Sequence, residues 1–404
     1  MSTSFIYHAF GLQCYDYVRQ DFVAGNVILS IQAKDRLVCC PQCGSRNVIK
    51  RGSSERWVKT VPIGFKPVWL VIPVQRIGCR DCGTVRRIDI GIAEPRRWYT
   101  KAFERYALAL SKKMTMKDVA DLLGVGWDTI KSIFKRYLSR RFSKPSLGKL
   151  KYIAIDEISV RKGHKYLTLV MDLESGAVVF AGEGRSMESL APFWKRLKRT
   201  KAKIQAVATD MNAGYINAVM ENLKNADLVF DRFHVVKLMN DKITQIRRQL
   251  FRKISSPMEK KAVKGTRWIL LKNPENLDES RDEKERLDEA LRLNKPLATA
   301  YYMKEDLRQL WSQPDKKTAD SVITDWIARA EASEIRPLQV MARTLASHRF
   351  GILSYYDHPI SSGPIEGTNN KIKTLKRQAY GYRDKEFFKL RIMGIHESKY
   401  ALTG

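Results

Sequence analysis

The chain has 404 residues, 44% of them hydrophobic, which is enough for two or three domains with buried cores. Its 73 Lys and Arg residues outnumber its 43 Asp and Glu residues by 30, and such a surplus favours a polyanionic partner. A ribosomal or membrane-surface protein is equally basic, so charge alone leaves the partner open. No run of about 18 apolar residues predicts a membrane-spanning helix, and the first residues lack a secretory-signal pattern. We therefore expect a cytoplasmic protein with no membrane partner.

Two Cys-x-x-Cys pairs, each followed by glycine, lie in a predicted N-terminal domain that covers residues 1–95. Their members are Cys40 and Cys43, and Cys79 and Cys82. A two-residue gap lets both thiolates of a pair reach one tetrahedral Zn²⁺ ion, so we predict a zinc ribbon whose short antiparallel strands join the two pairs. A metal-free hairpin with buried, reduced cysteines is the alternative. Cys39 competes with Cys40 as a ligand, although the spacing favours Cys40.

A helix-turn-helix domain is predicted over residues 96–145. Two helical patterns of apolar residues within 116–138 flank Gly124-Val-Gly126, which permits a tight turn. The start of the second helix of such a domain enters the major groove of DNA. The predicted DNA-contacting side chains are Trp127, Thr129, Lys131 and Lys135. An ordinary helical hairpin is the alternative interpretation.

From residue 149 onwards, short apolar runs predict three strands, a helix, a strand, a helix, a strand and a long helix. This order is typical of a ribonuclease-H-like α/β core, which we assign to residues 149–240. Residues 241–335 lack strand signals and predict an all-helical insertion, after which 336–404 close the core. The insertion's basic helices, with Arg247, Arg248 and Arg252, are predicted to hold flanking DNA. Its core is predicted to be anchored by three tryptophans, namely Trp268, Trp311 and Trp326.

Three acids stand in settings that suit one carboxylate site. Asp156 and Asp210 each follow an apolar strand, and Glu366 lies in the first turn of a predicted helix after Ser361-Ser-Gly-Pro-Ile. A single Asp at a strand end is more often a capping residue, but the three acids together predict a catalytic, metal-binding set. Carboxylates are the ligands that Mg²⁺ prefers, and two such ions promote attack on a phosphodiester. In a chain this basic, nucleic acid is the expected substrate.

Further polar residues accompany these acids. Asn370, Lys373 and Arg377 recur at helical spacing after Glu366, which predicts one face along a DNA backbone, with a solvated surface as the alternative. Asp231 and His234 are a possible accessory pair at the end of a strand and the start of a helix. Their alternative roles are a helix N-cap and a partly buried histidine.

Over nearly its whole length the chain resembles the DDE transposases of bacterial insertion sequences, in particular the ISL-three (ISL3) family. The matching features are the four cysteines, the turn at Gly124, the three acids, the segment from Asp231 to His234, and Gly381-Tyr-Arg383. The resemblance implies catalysis by Asp156, Asp210 and Glu366 with Mg²⁺ or Mn²⁺. It also implies binding of double-stranded DNA at the terminal inverted repeats, cleavage at the element ends and strand transfer into target DNA.

Because two element ends must be cut together, we expect a homodimer or higher oligomer on DNA, associated with the nucleoid.

The same residues are compatible with two other functions. A structure-selective nuclease is disfavoured by the predicted ribbon and helix-turn-helix, because such enzymes rarely carry sequence-reading domains. A non-catalytic regulator derived from a transposase is disfavoured by the presence of all three acids.

Overall fold

The computed structural model describes residues 4–161, 163 and 165–397, with the side chain of Arg161 left out. The chain forms two compact units, with the boundary between Arg141 and Phe142. Within the described residues, no helix is both long enough and apolar enough to cross a membrane.

The first unit combines one β-sheet with a group of helices. Its elements are α1 (Phe5–Phe10), β1 (Tyr15–Val23), β2 (Asn26–Ala33), β3 (Val48–Ile63), β4 (Lys66–Cys79), β5 (Val85–Arg87), α2 (Lys101–Ser111), α3 (Met116–Leu123) and α4 (Trp127–Phe142). The sheet order is β1-β2-β4-β3, with β5 paired to β4. Strands β2 and β4 are parallel, and the other pairs are antiparallel.

The prediction of short strands between the cysteine pairs is wrong. Strands β3 and β4 have 16 and 14 residues. They are long because β4 carries an extended run of buried apolar residues that shares one core with β2 and α1. The buried β4 residues in this core are Val68, Leu70, Ile72, Val74 and Ile77. The cysteine pairs therefore lie at one end of a larger sheet, whose hairpin β1–β2 the sequence did not predict.

The helix-turn-helix has the predicted form and is joined to the sheet within the first unit. Gly124 ends α3 with a φ of 58°, in the left-handed region where glycine carries no Cβ penalty. The Nζ atom of Lys59 in β3 donates a hydrogen bond to the Gly124 carbonyl at 2.9 Å. Burial lowers the pKa of Lys59. This bond fixes the turn of the helix-turn-helix against the sheet.

The second unit combines a mixed sheet with helices that pack against it. Its elements are β6 (Tyr152–Arg161), β7 (Lys165–Asp172), β8 (Val178–Glu183), α5 (Ala191–Leu197), β9 (Ala206–Thr209), α6 (Ala213–Asn222), β10 (Asp227–Phe230), α7 (Arg232–Lys253), α8 (Pro257–Val263), α9 (Arg267–Leu271), α10 (Glu283–Leu293), α11 (Lys295–Arg308), α12 (Lys316–Ala332), α13 (Arg336–Leu353), α14 (Gly363–Gln378) and α15 (Lys385–Met393). A long helical region follows the last strand along the chain. The order up to α7 is the predicted one.

The sheet of the second unit has the order β10-β9-β6-β7-β8. Strands β6, β9 and β10 are parallel, whereas β6, β7 and β8 form an antiparallel meander. The parallel strands β9 and β10 are short and almost wholly buried, since helices cover this half of the sheet. Helix α14 packs against β6, and α13 packs against β10.

The region 241–335, which was predicted to be all-helical, is helical wherever it is regular. One of its three predicted core tryptophans is not in the core. Trp326 is 1% exposed, and its Nε1 donates to the Met303 carbonyl at 2.7 Å; Trp311 is also buried. Trp268 is instead 65% exposed, so its predicted role as a core anchor is wrong. The five-residue helix α9 buries Ile269 and Leu270 and therefore turns the neighbouring Trp268 outwards.

Candidate functional site

The four cysteines of the two Cys-x-x-Cys pairs form one cluster at the end of the first sheet. Their sulfur atoms all lie within 4.8 Å of one another. The Sγ atoms of Cys40 and Cys82 are 3.6 Å apart, and those of Cys43 and Cys79 are 3.5 Å apart. Zn–S bonds of about 2.3 Å separate the sulfurs of a tetrahedron by about 3.8 Å, so the cluster fits one Zn²⁺ ion. Cys39 is not part of this cluster.

The backbone around the two pairs is similar in form. The amide of Gly44 donates to the Cys40 carbonyl at 2.8 Å, and the amide of Gly83 donates to the Cys79 carbonyl at 3.1 Å. Both glycines have a positive φ, 77° and 69°, as expected where the chain turns past a metal. Asp81 accepts hydrogen bonds from Ser45 and Asn47 and so joins the two turns. The cluster is thus held in place by bonds outside the thiols.

In the second unit, strand register brings three aspartates to the same edge of the sheet. Ala154 of β6 pairs with Ala208 of β9, so continuing the register sets Asp156 beside Asp210. Phe230 of β10 pairs with Thr209, which sets Asp231 beside Asp210 on the other side. Asp156 does not end its strand as expected. Strand β6 continues past it to pair with β7, and only the pairing with β9 stops there.

The carboxyl groups at this edge influence each other electrostatically. The pKa of Asp156 is raised to about 6, first of all by burial, and the charges of Asp210 and Glu366 contribute in the same direction. The hydrogen bond from the Glu157 amide and the charge of His234 oppose this rise. Burial also raises the pKa of Glu366, while His234 lowers it. The structure therefore brings the three predicted acids together around a partly buried region, with His234 among them.

Asp231 is a helix N-cap, and His234 is a partly buried histidine; both also contact the segment that carries Glu366. Asp231 caps α7, because its carboxylate accepts a hydrogen bond from the Phe233 amide at 2.6 Å. The same carboxylate accepts a hydrogen bond from the Ser362 amide, immediately before α14. The Nε2 atom of His234 lies 3.5 Å from Oε1 of Glu366. The pair therefore holds the beginning of α14, which carries Glu366, against the end of β10.

Asn369 is a further residue of this site, and it was not predicted from the sequence. Its side chain is buried, and its Nδ2 donates to Oδ2 of Asp156 at 2.7 Å, while its Oδ1 has no hydrogen-bond partner. The other oxygen of Asp156 accepts from the Glu157 amide at 2.7 Å. The spacing of three residues from Glu366 is compatible with a shared helical face, but Asn370, at a spacing of four, is equally compatible with it.

Glu157 is adjacent to Asp156 but belongs to the opposite face of β6, as strand alternation predicts. Its carboxylate accepts a hydrogen bond from the Tyr215 hydroxyl of α6 at 3.3 Å. Asp156 instead bonds to α14. Burial and the charge of Asp210 raise the pKa of Glu157.

The predicted DNA-contacting side chains fall into two groups, one in each unit. At the beginning of α4, Trp127 is 50% exposed, and the Nζ of Lys131 lies 5.5 Å from the centre of its ring. Thr129, Lys131 and Lys135 are each partly exposed. On α14, the predicted residues Asn370, Lys373 and Arg377 are all exposed. The α14 group forms a basic face next to Glu366 on the helix.

Replacement of Cys40 by serine should remove Zn²⁺ and lower the melting temperature, because a structural zinc site with three thiolates binds the ion weakly. The matched control is Cys39→Ser, which changes the neighbouring cysteine outside the cluster. We expect about one Zn²⁺ per chain in wild type and in Cys39→Ser, measured by elemental analysis. Loss of zinc in Cys39→Ser with retention in Cys40→Ser would contradict this assignment.

Comparison with protein families matches three consecutive segments of the chain. Residues 36–82 match the "zinc-finger of transposase IS204/IS1001/IS1096/IS1165". Residues 88–138 match the "helix-turn-helix domain of transposase family ISL3". Residues 153–392 match the ISL3 family of DDE transposases, described as "Transposase". The cysteine cluster and the helix-turn-helix described above lie within the first two of these segments.

Individual relatives agree with the family comparison. The transposase for insertion sequence element IS1001 of Bordetella parapertussis is 35% identical over 375 residues, which cover 90% of each chain. The transposase for IS1557 of Mycobacterium tuberculosis is 28% identical over 371 residues, 85% of this chain and 82% of the relative. The solved Drosophila P element transposase strand transfer complex aligns at a TM-score of 0.37 and 12% identity, over 74% of this chain and 92% of that chain. On the sequence comparisons, the chain belongs to the ISL3 family of insertion-sequence transposases.

Proposed function

We propose that this transposase binds the terminal inverted repeats of its element, cleaves DNA at the element ends and joins the freed 3′-hydroxyl to target DNA. The observation that supports this most directly is the meeting of Asp156, Asp210 and Glu366 at one sheet edge. These acids are far apart in sequence, and their negative charges are held together where burial disfavours them. Carboxylates placed this close together are unfavourable without cations, and such clusters are common at functional sites.

The proposed catalytic core is ribonuclease-H-like. Support comes from the sheet of the second unit, in which an antiparallel meander of three strands continues into two parallel strands that follow helical crossovers. The helices α8–α12 then separate this aspartate-bearing edge from α14 along the chain. We interpret them as an insertion, because the chain returns to β6 through α14 after leaving the core along α7.

We propose that Asp156, Asp210 and Glu366 hold Mg²⁺ or Mn²⁺. Their donor set is made of carboxylate oxygens, which hard divalent cations prefer. When bound, a pair of such ions supplies activation of the attacking water or hydroxyl and stabilisation of the leaving oxygen. Among the described His, Cys, Asp and Glu residues, only the four cysteines converge within 4.8 Å, so the carboxylates are spaced more widely than the ligands of one small ion.

The neighbouring side chains have positioning roles in this proposal. Asn369 orients Asp156 through its hydrogen bond to Oδ2, and Asp231 anchors the amide that precedes α14. The Nε2 atom of His234 lies next to the Glu366 carboxylate and is buried without a hydrogen-bond partner, so we propose that it orients this metal ligand or contacts the scissile phosphate. The four cysteines are proposed as the ligands of one Zn²⁺ that stabilises the N-terminal sheet.

DNA recognition is proposed to involve both units. The helix-turn-helix offers Trp127, Thr129, Lys131 and Lys135 to base edges and phosphates of the inverted repeat. The face of α14 with Asn370, Lys373 and Arg377 is proposed to run along the backbone next to the cleaved bond. Since an element has two ends, the working complex is proposed to be a homodimer or a higher oligomer on DNA.

Replacement of Asp156 by asparagine should abolish Mg²⁺-dependent cleavage and joining, because an amide cannot supply the negative oxygen ligand. The assay uses a labelled fragment that carries the element's own end, and it measures cut ends and joined product on gels. Glu157→Gln is the matched control, since it neutralises the adjacent acid on the opposite strand face. We expect a loss of at least about 1,000-fold in Asp156→Asn, a magnitude typical of removing an essential catalytic group.

Three results would contradict the proposed reaction. Equal cleavage by wild type and Asp156→Asn would exclude a role for this acid. End-specific binding without cleavage under any metal condition would favour the non-catalytic regulator. Cleavage of branched DNA regardless of end sequence would favour the structure-selective nuclease.

Replacement of Asn369 by alanine should lower the rate about 10- to 100-fold and raise the Mg²⁺ concentration needed for half-maximal activity. The reason is that Asp156 loses the hydrogen bond that orients it, an effect typical of residues that support metal ligands. Asn370→Ala is the comparison, because its exposed side chain should change affinity for DNA while leaving the Mg²⁺ requirement unchanged. An Asn369→Ala protein with a wild-type Mg²⁺ requirement would show that the residue is only structural.

The effect of Mg²⁺ on thermal stability should depend on pH. The pKa of Asp156 is raised from 3.8 to about 6 in the folded, metal-free chain. The folded chain therefore binds more protons at this group than the unfolded chain between these values, and the group's contribution to stability falls as pH rises through that window. Mg²⁺ binds the ionised carboxylate, so protons compete with it at low pH.

We accordingly expect about 10 mM Mg²⁺ to raise the melting temperature more at pH 7.5 than at pH 5, relative to chelator alone. The Asp156→Asn protein should show a reduced shift at pH 7.5. A Mg²⁺ shift that is the same at both pH values, and the same in both proteins, would contradict metal binding at this site.

A further inference from the structure

A second basic surface lies among the helices between β10 and α14. We name it the Arg–Trp patch and define it by Arg247, Arg248, Arg267 and Trp268. The first two residues are on α7, and the last two begin α9, which packs against α7. The sequence pattern predicted a DNA contact only for the α7 arginines and a core position for Trp268. The grouping of these arginines with Arg267 and an exposed Trp268 is seen only in the structure.

Arg247 is the central cation of the Arg–Trp patch. Its Nε atom is buried and has no hydrogen-bond partner. Burial lowers the pKa of Arg247, and the charges of Arg248 and Arg267 lower it further. Three positive charges that repel one another, with one partly removed from water, are unfavourable unless an anion joins them.

Some other arginines among these helices have carboxylate partners. Arg308 pairs with Glu275 and Glu305, and Arg329 pairs with Asp306 and Asp325. By contrast, no described carboxylate lies within 4.0 Å of the Arg–Trp patch arginines. Carboxylates therefore neutralise some arginines of this region, whereas the clustered arginines of the patch are available to an anion from outside.

Trp268 gives the patch a second chemical property. The indole is 65% exposed, and the guanidinium carbon of Arg267 lies 4.5 Å from its ring centre. This stacking holds the ring on the surface through a cation–π contact. An exposed aromatic ring beside phosphate-binding cations is the combination that proteins use to stack unpaired bases.

We propose that the Arg–Trp patch binds DNA, with its arginines on phosphates and Trp268 stacked on an unpaired base. The inference rests on the proposed function, in which cleavage creates DNA ends next to the element. Planar guanidinium groups match phosphate oxygens in two-point hydrogen bonds, which favours a phosphodiester backbone as the occupant. The unpaired base accounts for the indole, which a purely electrostatic surface would not need.

The test compares the affinities of the full-length protein for two fluorescent DNAs that carry the same element end. One is a blunt duplex, and the other ends in a short unpaired flank. The variants are Arg247→Ala with Arg267→Ala, and Trp268→Ala alone. The control is Lys295→Ala with Lys317→Ala, which removes two charges from exposed sites on α11 and α12. Melting temperatures establish that each variant is folded.

We expect the double arginine variant to bind both DNAs more weakly than the lysine control. Its logarithmic salt dependence should become shallower by about 1 for each phosphate that the protein no longer neutralises. Trp268→Ala should bind the DNA with the unpaired flank about 10-fold more weakly and the blunt duplex almost as well as wild type. If the arginine variant matches the lysine control, the patch is not a DNA site. If Trp268→Ala changes both DNAs equally or neither, base stacking is overturned.

Cleavage by the same proteins separates this inference from the proposed function. A wild-type protein that cuts and joins element ends, with patch variants indistinguishable from it in binding and cleavage, would overturn only the Arg–Trp patch. A wild-type protein that neither binds nor cuts the element end would overturn both proposals.

Discussion

The parallel pairing of β6, β9 and β10 is the constraint on which the second unit's site depends. It aligns positions 156, 210 and 231 along one edge of the sheet, although they come from separate strands. Helix α14 then reaches this edge through two hydrogen bonds, from Asn369 to Asp156 and from Ser362 to Asp231. Since both bonds end on aspartates of the strands, the sheet determines where Glu366 can lie. A one-residue slip in the register of β9 would separate the acids even if every helix kept its place.

Local sequence patterns predicted the order of strands and helices from residue 149 to α7, because apolar strands and amphipathic helices differ in period. The same patterns placed Asp156 and Asp210 together, since each directly follows residues that must be buried. The four-cysteine cluster was also predictable, because its geometry is encoded in spacing and in the glycines that follow. Interactions between distant segments could not be predicted in this way. Asn369 and Asp156 are 213 positions apart, and nothing in the basic sequence around Asn369 distinguishes it from Asn370 before α14 is docked.

Trp268 and the N-terminal sheet show a different reason for incomplete prediction. A tryptophan is usually buried, so composition favoured a core position, but the short helix α9 can bury only one side. The extent of β3 and β4 depends on the pairing with β2, which involves residues before the first cysteine pair. For the strands, the deciding partner lies in another segment, and the periodicity of one segment contains no information about it.

The bond between Asp231 and the Ser362 amide also has a consequence for how the protein is made. The two residues are separated by 131 positions, and all the helices from α8 to α13 emerge from the ribosome between them. The strand edge with its two other aspartates can therefore form long before Glu366 exists, since domains fold as units during synthesis from the N-terminus. A nascent chain is then able to carry folded DNA-binding elements while its set of acids is incomplete. The set of acids is completed last, after a long loop closure has brought α14 back to the sheet.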